Sequence, residues 1–138
     1  MAFKLNISDK GKAWKLELDN ESLVGKSVGD KIHGHDIRAD LEGYELEITG
    51  GSDLAGFPLA KNVEGIALKA LLLKKGWGMR DTREGVRLRK TVRGKVISPA
   101  VTLINLNVVK HGKKHLAEIF PEQNQPKAPK VKAAPAAA

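Results

Sequence analysis

Short stretches in which apolar and polar residues alternate recur along this chain, and turn-forming residues separate them. Segments 3–7, 14–18 and 44–48 each place an apolar residue at every second position, which is the spacing of a strand with one buried face. The residues between the first two segments, Ser8 to Gly11, are typical of a turn. The pattern therefore predicts an opening β-hairpin and a third strand that ends at Gly50-Gly51.

Two later segments also predict strands. The run from Val101 to Val109 is rich in β-branched residues and is typical of a buried strand. The segment from Val86 to Ile97 alternates less cleanly, because Arg87, Arg89 and Arg93 interleave with apolar residues. Side chains two residues apart share a face of a strand, so this segment predicts a strand with one basic face.

Two segments remain undecided from the pattern alone. Residues 63–73 match a helical stripe better than a strict period of two, and residues 28–41 fit a turn, a short helix or both. Six or so short strands with 14 glycines at their joints predict a mainly all-β fold, arranged as a small barrel.

The composition changes after residue 120, where the predicted barrel domain 1–120 ends. Four of the six prolines lie in residues 121–138, and alanine and lysine fill the gaps between them. A segment of this composition has too little apolar area to order itself, so it predicts a flexible basic tail.

Several classes of protein are excluded by composition. No apolar run reaches the roughly 20 residues that span a bilayer, and the N-terminus lacks the apolar core of a signal peptide. The sequence therefore predicts neither a membrane protein nor a secreted one. The absence of cysteine removes disulfides, thiolate zinc sites and cysteine nucleophiles, and it suits a cytosolic protein.

The positive charge of the chain is concentrated in one segment. Residues 74–95 contain nine Lys or Arg against two acids, whereas residues 1–73 contain nine against twelve and residues 96–138 six against two. Bases at this density repel one another unless a polyanion neutralises them, which makes nucleic acid the leading partner. The alternative is a solvated strand face. The candidate RNA-binding residues are Lys74, Lys75, Trp77, Arg80, Arg83, Arg87, Arg89, Lys90, Arg93 and Lys95.

Trp77 lies between two glycines in this segment. It either stacks on an unpaired base, as aromatic residues do in single-strand binders, or packs against the body of the protein.

A glycine-rich stretch at residues 50–58 lacks both the GxxxxGK[ST] and the GxGxxG pattern, so it predicts a structural loop and not a nucleotide site. The loop residues are Gly50, Gly51, Asp53, Gly56, Phe57 and Pro58. The three glycines are expected to adopt positive φ angles, and Asp53 to fix the turn by a hydrogen bond.

No motif points to catalysis or to a cofactor. His33 with His35, and His111 with His115, each lack an obvious third metal ligand, so no metal site is predicted. An enzyme built around Asp53 remains the minority alternative, and no small-molecule substrate is predicted.

Three segments together resemble the S6e family of ribosomal proteins from the small subunit of archaeal and eukaryotic ribosomes. They are GGSDLAGFPL at 50–59, RLRKTVRG at 87–94 and NISDKGKAWKLEL at 6–18, and NLNVVKHGKKHL at 105–116 is similar to the family's closing strand. Leu59 stands where the family usually has methionine, which is a volume-conserving exchange. The long basic C-terminal helix of eukaryotic members has no counterpart here, so the short archaeal form is expected.

The resemblance implies a β-barrel that binds ribosomal RNA as a structural constituent of the small subunit, beside other small-subunit proteins in the cytoplasm, and not an enzyme. It places Arg87, Arg89, Lys90 and Arg93 in the family's basic block. It also implies that 71–73 is part of a strand. The rival interpretation is a free-standing RNA-binding barrel that acts as a translation or chromatin accessory factor.

Overall fold

The computed structural model describes residues 2–125 of the chain. In this part the elements are β1 (Phe3–Asp9), β2 (Lys12–Leu18), β3 (Lys31–His33), α1 (Gly34–Ile37), a 3-10 turn (Ala39–Leu41), β4 (Glu45–Asp53), β5 (Leu68–Leu73), β6 (Leu88–Arg93), β7 (Val101–Lys110) and α2 (Leu116–Ile119). Neither helix is long and apolar enough to cross a membrane. The predicted all-β class is confirmed in its general form.

Five strands form one mixed sheet in the order β2-β1-β7-β4-β3. β1 pairs antiparallel with β2 and parallel with β7, and β4 joins β7 to β3 through antiparallel pairs. The predicted opening hairpin is confirmed. Lys10 and Gly11 at its tip have φ angles of 46° and 80°, and two such residues in succession suit the twist of a tight hairpin.

β5 and β6 form a separate antiparallel pair, here called the basic ribbon. Isolated bridges join the chain near its base to the body, between Ser27 and Val96 and between Leu59 and Arg93. The predicted small barrel overstates the closure of the fold, because in residues 2–125 β5 and β6 pair with each other and do not extend the five-stranded sheet.

The undecided segments resolve into short elements. Residues 68–73 are a strand, although the apolar residues of 63–73 fit a helical stripe, and residues 28–41 contain β3, α1 and the 3-10 turn. β4 does not end at Gly50-Gly51 but continues to Asp53, and the predicted strand at 86–97 is shorter, from Leu88 to Arg93.

The main core lies against the five-stranded sheet. Ile7, Leu46 and Leu106 come from three neighbouring strands and are fully buried, and Leu116 and Phe120 of the α2 region join the same cluster. A second, small cluster of Ala60, Val63 and Val92, with Leu71 packed on it, lies at the base of the ribbon. Burial of these apolar residues holds the ribbon to the body.

Residues 123 and 124 lie along the edge of β2. The Gln123 side chain accepts from the Lys15 N–H at 2.6 Å and donates to the Lys15 carbonyl at 2.8 Å, and Asn124 donates to the Ala13 carbonyl at 2.6 Å. Most of the predicted tail, residues 126–138, lies outside the described residues. The domain boundary at residue 120 stays a prediction.

Candidate nucleic-acid interface

The basic ribbon carries cations on both of its faces. In the register of the ribbon Leu72 lies opposite Arg89 and Leu71 opposite Lys90. Because successive side chains of a strand alternate between faces, Arg89 and Lys90 point to opposite sides. Arg89 and Arg93, four residues apart in β6, share a face as predicted, but Lys90 makes the opposite face basic as well. Arg87 precedes β6 instead of lying on it.

Three of the nine bases in segment 74–95 are paired with acids. Arg83 pairs with Asp81 at 2.6 Å, Arg93 with Asp53 at 2.9 Å and Lys95 with Glu64 at 2.8 Å. The remaining bases form no ion pair within residues 2–125, and all but the half-buried Lys90 are exposed. These six unpaired cations are Lys74, Lys75, Arg80, Arg87, Arg89 and Lys90.

The Arg93 side chain is turned into the protein. Its Nε donates to Oδ2 of Asp53 at 2.9 Å, and its Nη1 donates to the Ile66 carbonyl at 2.9 Å. The Arg93 side chain is 16% exposed and that of Asp53 only 2%. Arg93 therefore joins the end of β4 to β6, and its guanidinium is occupied by the protein itself.

Asp53 also fixes the glycine-rich loop. Its Oδ1 accepts the Phe57 N–H at 2.8 Å. Burial by itself would raise the pKa of Asp53, but the hydrogen bonds from Arg93 and from the Phe57 N–H outweigh it and hold that pKa below its usual range. The carboxylate is thus charged at neutral pH, where it ties the loop to the ribbon.

The prediction of positive φ angles is wrong for two of the three loop glycines. Only Gly56 has one, at 90°, while Gly50 and Gly51 belong to β4. Gly51 is required for a different reason, since a Cβ there would collide with the Leu103 carbonyl oxygen of β7. A Cβ at Gly50 would meet nothing within 4 Å.

This contrast gives a matched pair of substitutions. We expect Gly51→Ala to lower the free energy of unfolding by about 1–3 kcal/mol, the usual cost of forcing extra volume into a packed site. Gly50→Ala should change it far less. Urea unfolding of both variants measures the difference, and equal midpoints would show that β4 and β7 do not approach each other as closely as described.

The ribbon and its loop also carry exposed apolar side chains, of which only Trp77 was a predicted site residue. Leu68 and Leu72 on β5 are 46% and 58% exposed, and Trp77 in the loop is 54% exposed. Trp77 therefore does not pack fully against the body. No periodicity distinguishes Leu72 from its neighbours Leu71 and Leu73, since all three lie in one apolar run.

The four histidines are not clustered with enough other potential metal ligands of residues 2–125 to form a metal site. Throughout the described part of the chain, no three His, Cys, Asp or Glu side chains lie close enough together to hold a metal ion. His111 has one acidic neighbour, with its Nε2 at 3.6 Å from Oδ1 of Asp9.

Comparison with known proteins shows which family the chain belongs to. The model of the family "Ribosomal protein S6e" matches residues 3–121. The chain belongs to the ribosomal protein S6e family. The match spans the main sheet, the glycine-rich loop and the basic ribbon, and the resemblance of the sequence to this family is confirmed.

Individual archaeal relatives match along most of their length. The chain is 44% identical to the small ribosomal subunit protein eS6 of Methanococcus maripaludis strain S2 over 81% of this chain and 90% of that protein. It is 43% identical to the eS6 protein of Archaeoglobus fulgidus over 91% of this chain and the whole of that protein. Identity to the eS6 protein of Methanothermobacter thermautotrophicus is 43%, over 87% and 96% of the two chains.

Proposed function

We propose that the chain is a structural constituent of the small ribosomal subunit and binds ribosomal RNA through its basic ribbon. Membership of a family of structural, non-enzymatic ribosomal proteins supports the first part. The observation that carries the second part is a set of six cations on the ribbon and its loop that form no ion pair with any acid of residues 2–125. Its place is the cytoplasmic ribosome, beside other small-subunit proteins.

The mechanism is neutralisation of phosphate charge by a preorganised surface. Arginine grips phosphate oxygens in pairs through its planar guanidinium, while lysine acts as a mobile point charge. The Asp53–Arg93 pair and the small apolar cluster under the ribbon fix β6, the strand that carries Arg89 and Lys90. A surface held in this way loses less conformational freedom on binding than a flexible segment would.

The proposed contact residues are the six unpaired cations and Trp77. Arg83 lies on the same exposed loop and is available for exchange from Asp81 to a phosphate, because its side chain is 77% exposed. We leave Arg93 and Lys95 out of this set, since both are half-buried and paired with acids of the protein. No side-chain pattern here forms a code for bases, so shape and charge supply the recognition.

A sedimentation experiment tests the proposal against a free-standing accessory factor. We expect the chain to sediment with small ribosomal subunits and to remain with them through a salt wash that removes loosely bound factors, because a constituent is also held by protein neighbours. An abundant translation initiation factor provides the positive control for release. Complete release of the chain together with that factor would favour the accessory-factor interpretation.

A further inference from the structure

A cleft opens on the face of the ribbon that carries Lys90. It has a volume of about 690 Å³ and lies between the loop that follows β5 and the end of the glycine-rich loop. Its apolar walls come from Phe57, Pro58, Leu73 and Met79. Each of these four side chains is half-buried, so the cleft presents apolar surface to whatever enters it.

Two cations line the same cleft. Arg80 and Lys90 contribute to its walls, and neither forms an ion pair in the described part of the chain. The nearest acid on this loop, Asp81, is already satisfied, because the Arg83 side chain donates to it at 2.6 Å. Hydrogen bonds from Arg83, and to a smaller degree the charge of Lys90, lower the pKa of Asp81. Positive charge therefore dominates this cleft.

The combination of size, apolar walls and cations selects a class of ligand. Small-molecule and nucleotide sites have volumes of about 300–1,000 Å³, mostly apolar walls and a few placed polar groups. A flat base stacks on apolar and aromatic side chains, and a phosphate pairs with lysine or arginine. A purely apolar protein segment would bring no counter-charge to Arg80 or Lys90.

We propose that this cleft receives one unpaired nucleotide of the bound RNA. The base enters between the Met79 and Phe57 sides of the cleft, and its phosphate is held by Arg80 and Lys90. Gly78, also in the lining, follows the exposed Trp77 directly, so a neighbouring unpaired base can reach that ring. The proposal rests on the proposed RNA binding and adds to it a single extruded nucleotide as the recognised feature.

The test compares two RNA hairpins with the intact protein in a fluorescence anisotropy titration. One hairpin carries a single bulged adenosine, and the other carries an abasic nucleotide at the same position, so that the number of phosphates is equal. We expect the protein to bind the abasic hairpin about tenfold more weakly, within the range that stacking of one base contributes. Met79→Ala should reduce that difference to about twofold, because it removes one wall of the cleft.

Two controls separate the cleft from general effects. Val109→Ala truncates an exposed apolar residue on β7, away from the cleft, and should keep the full difference between the hairpins. Lys90→Gln should weaken binding of both hairpins while it preserves most of their difference, because it removes a phosphate contact and leaves the base site.

The outcomes are distinguishable. Equal affinity of the unmodified protein for the two hairpins would overturn the nucleotide cleft but leave RNA binding in place, and no binding of either would overturn both. Where Met79→Ala does not fold, 4-thiouridine at the bulge of the first hairpin replaces it. Cross-links of the unmodified protein should then map to 57–58, 73–80 or 90–92, and cross-links found only elsewhere would overturn the proposal.

Discussion

Replacement of Arg93 by alanine should lower the free energy of unfolding by about 2–3 kcal/mol, because it leaves a buried carboxylate without its cationic partner. Asp53 would keep the Phe57 N–H but lose the guanidinium that donates to it at 2.9 Å. The Ile66 carbonyl would lose its donor as well. The value lies below the usual cost of breaking a fully buried pair, because the Arg93 side chain is 16% exposed. Urea unfolding followed by circular dichroism measures it.

Arg83→Ala is the matched control. Like Arg93→Ala, it removes an arginine that is paired with an aspartate. This aspartate, Asp81, lies only two residues away in sequence, and the pair is on an exposed loop. Exposed ion pairs contribute little to stability, so this variant should unfold at nearly the urea concentration of the unmodified protein. Equal losses in the two variants would mean that Arg93 does not join the ribbon to the body.

The pH dependence of stability provides a second readout of the same ion pair. The pKa of Asp53 is lower in the folded protein than in the unfolded chain. The stability that its ionisation contributes is therefore present above the unfolded pKa and is lost as the pH falls through the folded pKa. Arg93→Ala removes the main cause of the lowered pKa, so the variant should lose less additional stability on acidification than the unmodified protein does.

The alternation of the sequence predicted the strands whose two faces differ in burial. In β1, Phe3, Leu5 and Ile7 are buried while their neighbours are not, and this pattern is visible in the residues themselves. The residue types of β5 show no such contrast, although Leu71 packs on the small cluster while Leu72 is 58% exposed. Both are leucine, so only the family resemblance indicated a strand at 71–73, and the sequence pattern favoured a helix.

The arrangement of the strands was harder to predict than the strands. A strand pattern records which side chains are buried but not which strand lies beside which, so a separate ribbon and a closed barrel have similar sequences. The need for glycine at position 51 could not be predicted from the local pattern either. This need comes from the Leu103 carbonyl of β7, a contact between segments far apart in sequence.

The candidate site was predicted as a segment but not residue by residue. The charge density pointed to residues 74–95, where six of the nine bases form no ion pair within residues 2–125. Arg89 and Arg93 look equivalent in sequence, since both interleave with apolar residues of one strand. Only the fold distinguishes them, because Asp53 lies beside one and not the other. An acid forty residues away in the chain leaves no signal in the pattern around Arg93.

Replacement of the exposed Arg80, Arg87 and Arg89 by alanine should produce the largest effect on RNA binding. The logarithm of affinity falls with the logarithm of salt concentration by roughly 0.7–0.9 for each neutralised phosphate. Contacts from the six unpaired cations thus give a slope of about −4 to −5, or a loss of roughly 500-fold over a fourfold rise in salt. The triple variant should have a slope shallower by about 2–3, and a loss of roughly 20-fold.

The control removes the same charge from the body of the protein. Lys12 and Lys15 lie on β2 and Lys114 lies in the loop before α2, all three exposed and away from the ribbon. Their replacement by alanine should therefore leave the slope almost unchanged. The arginines of the triple variant form no ion pair within residues 2–125, and circular dichroism should therefore show the same fold and stability in both variants.

A filter-binding titration of the unmodified protein and these two variants on small-subunit ribosomal RNA, over a range of salt concentrations, tests the proposed interface most directly. The proposed interface predicts a steep slope for the protein, a much shallower one for the arginine variant and a steep one for the lysine variant. A slope near zero for the unmodified protein, or the shallower slope in the lysine variant alone, would contradict it.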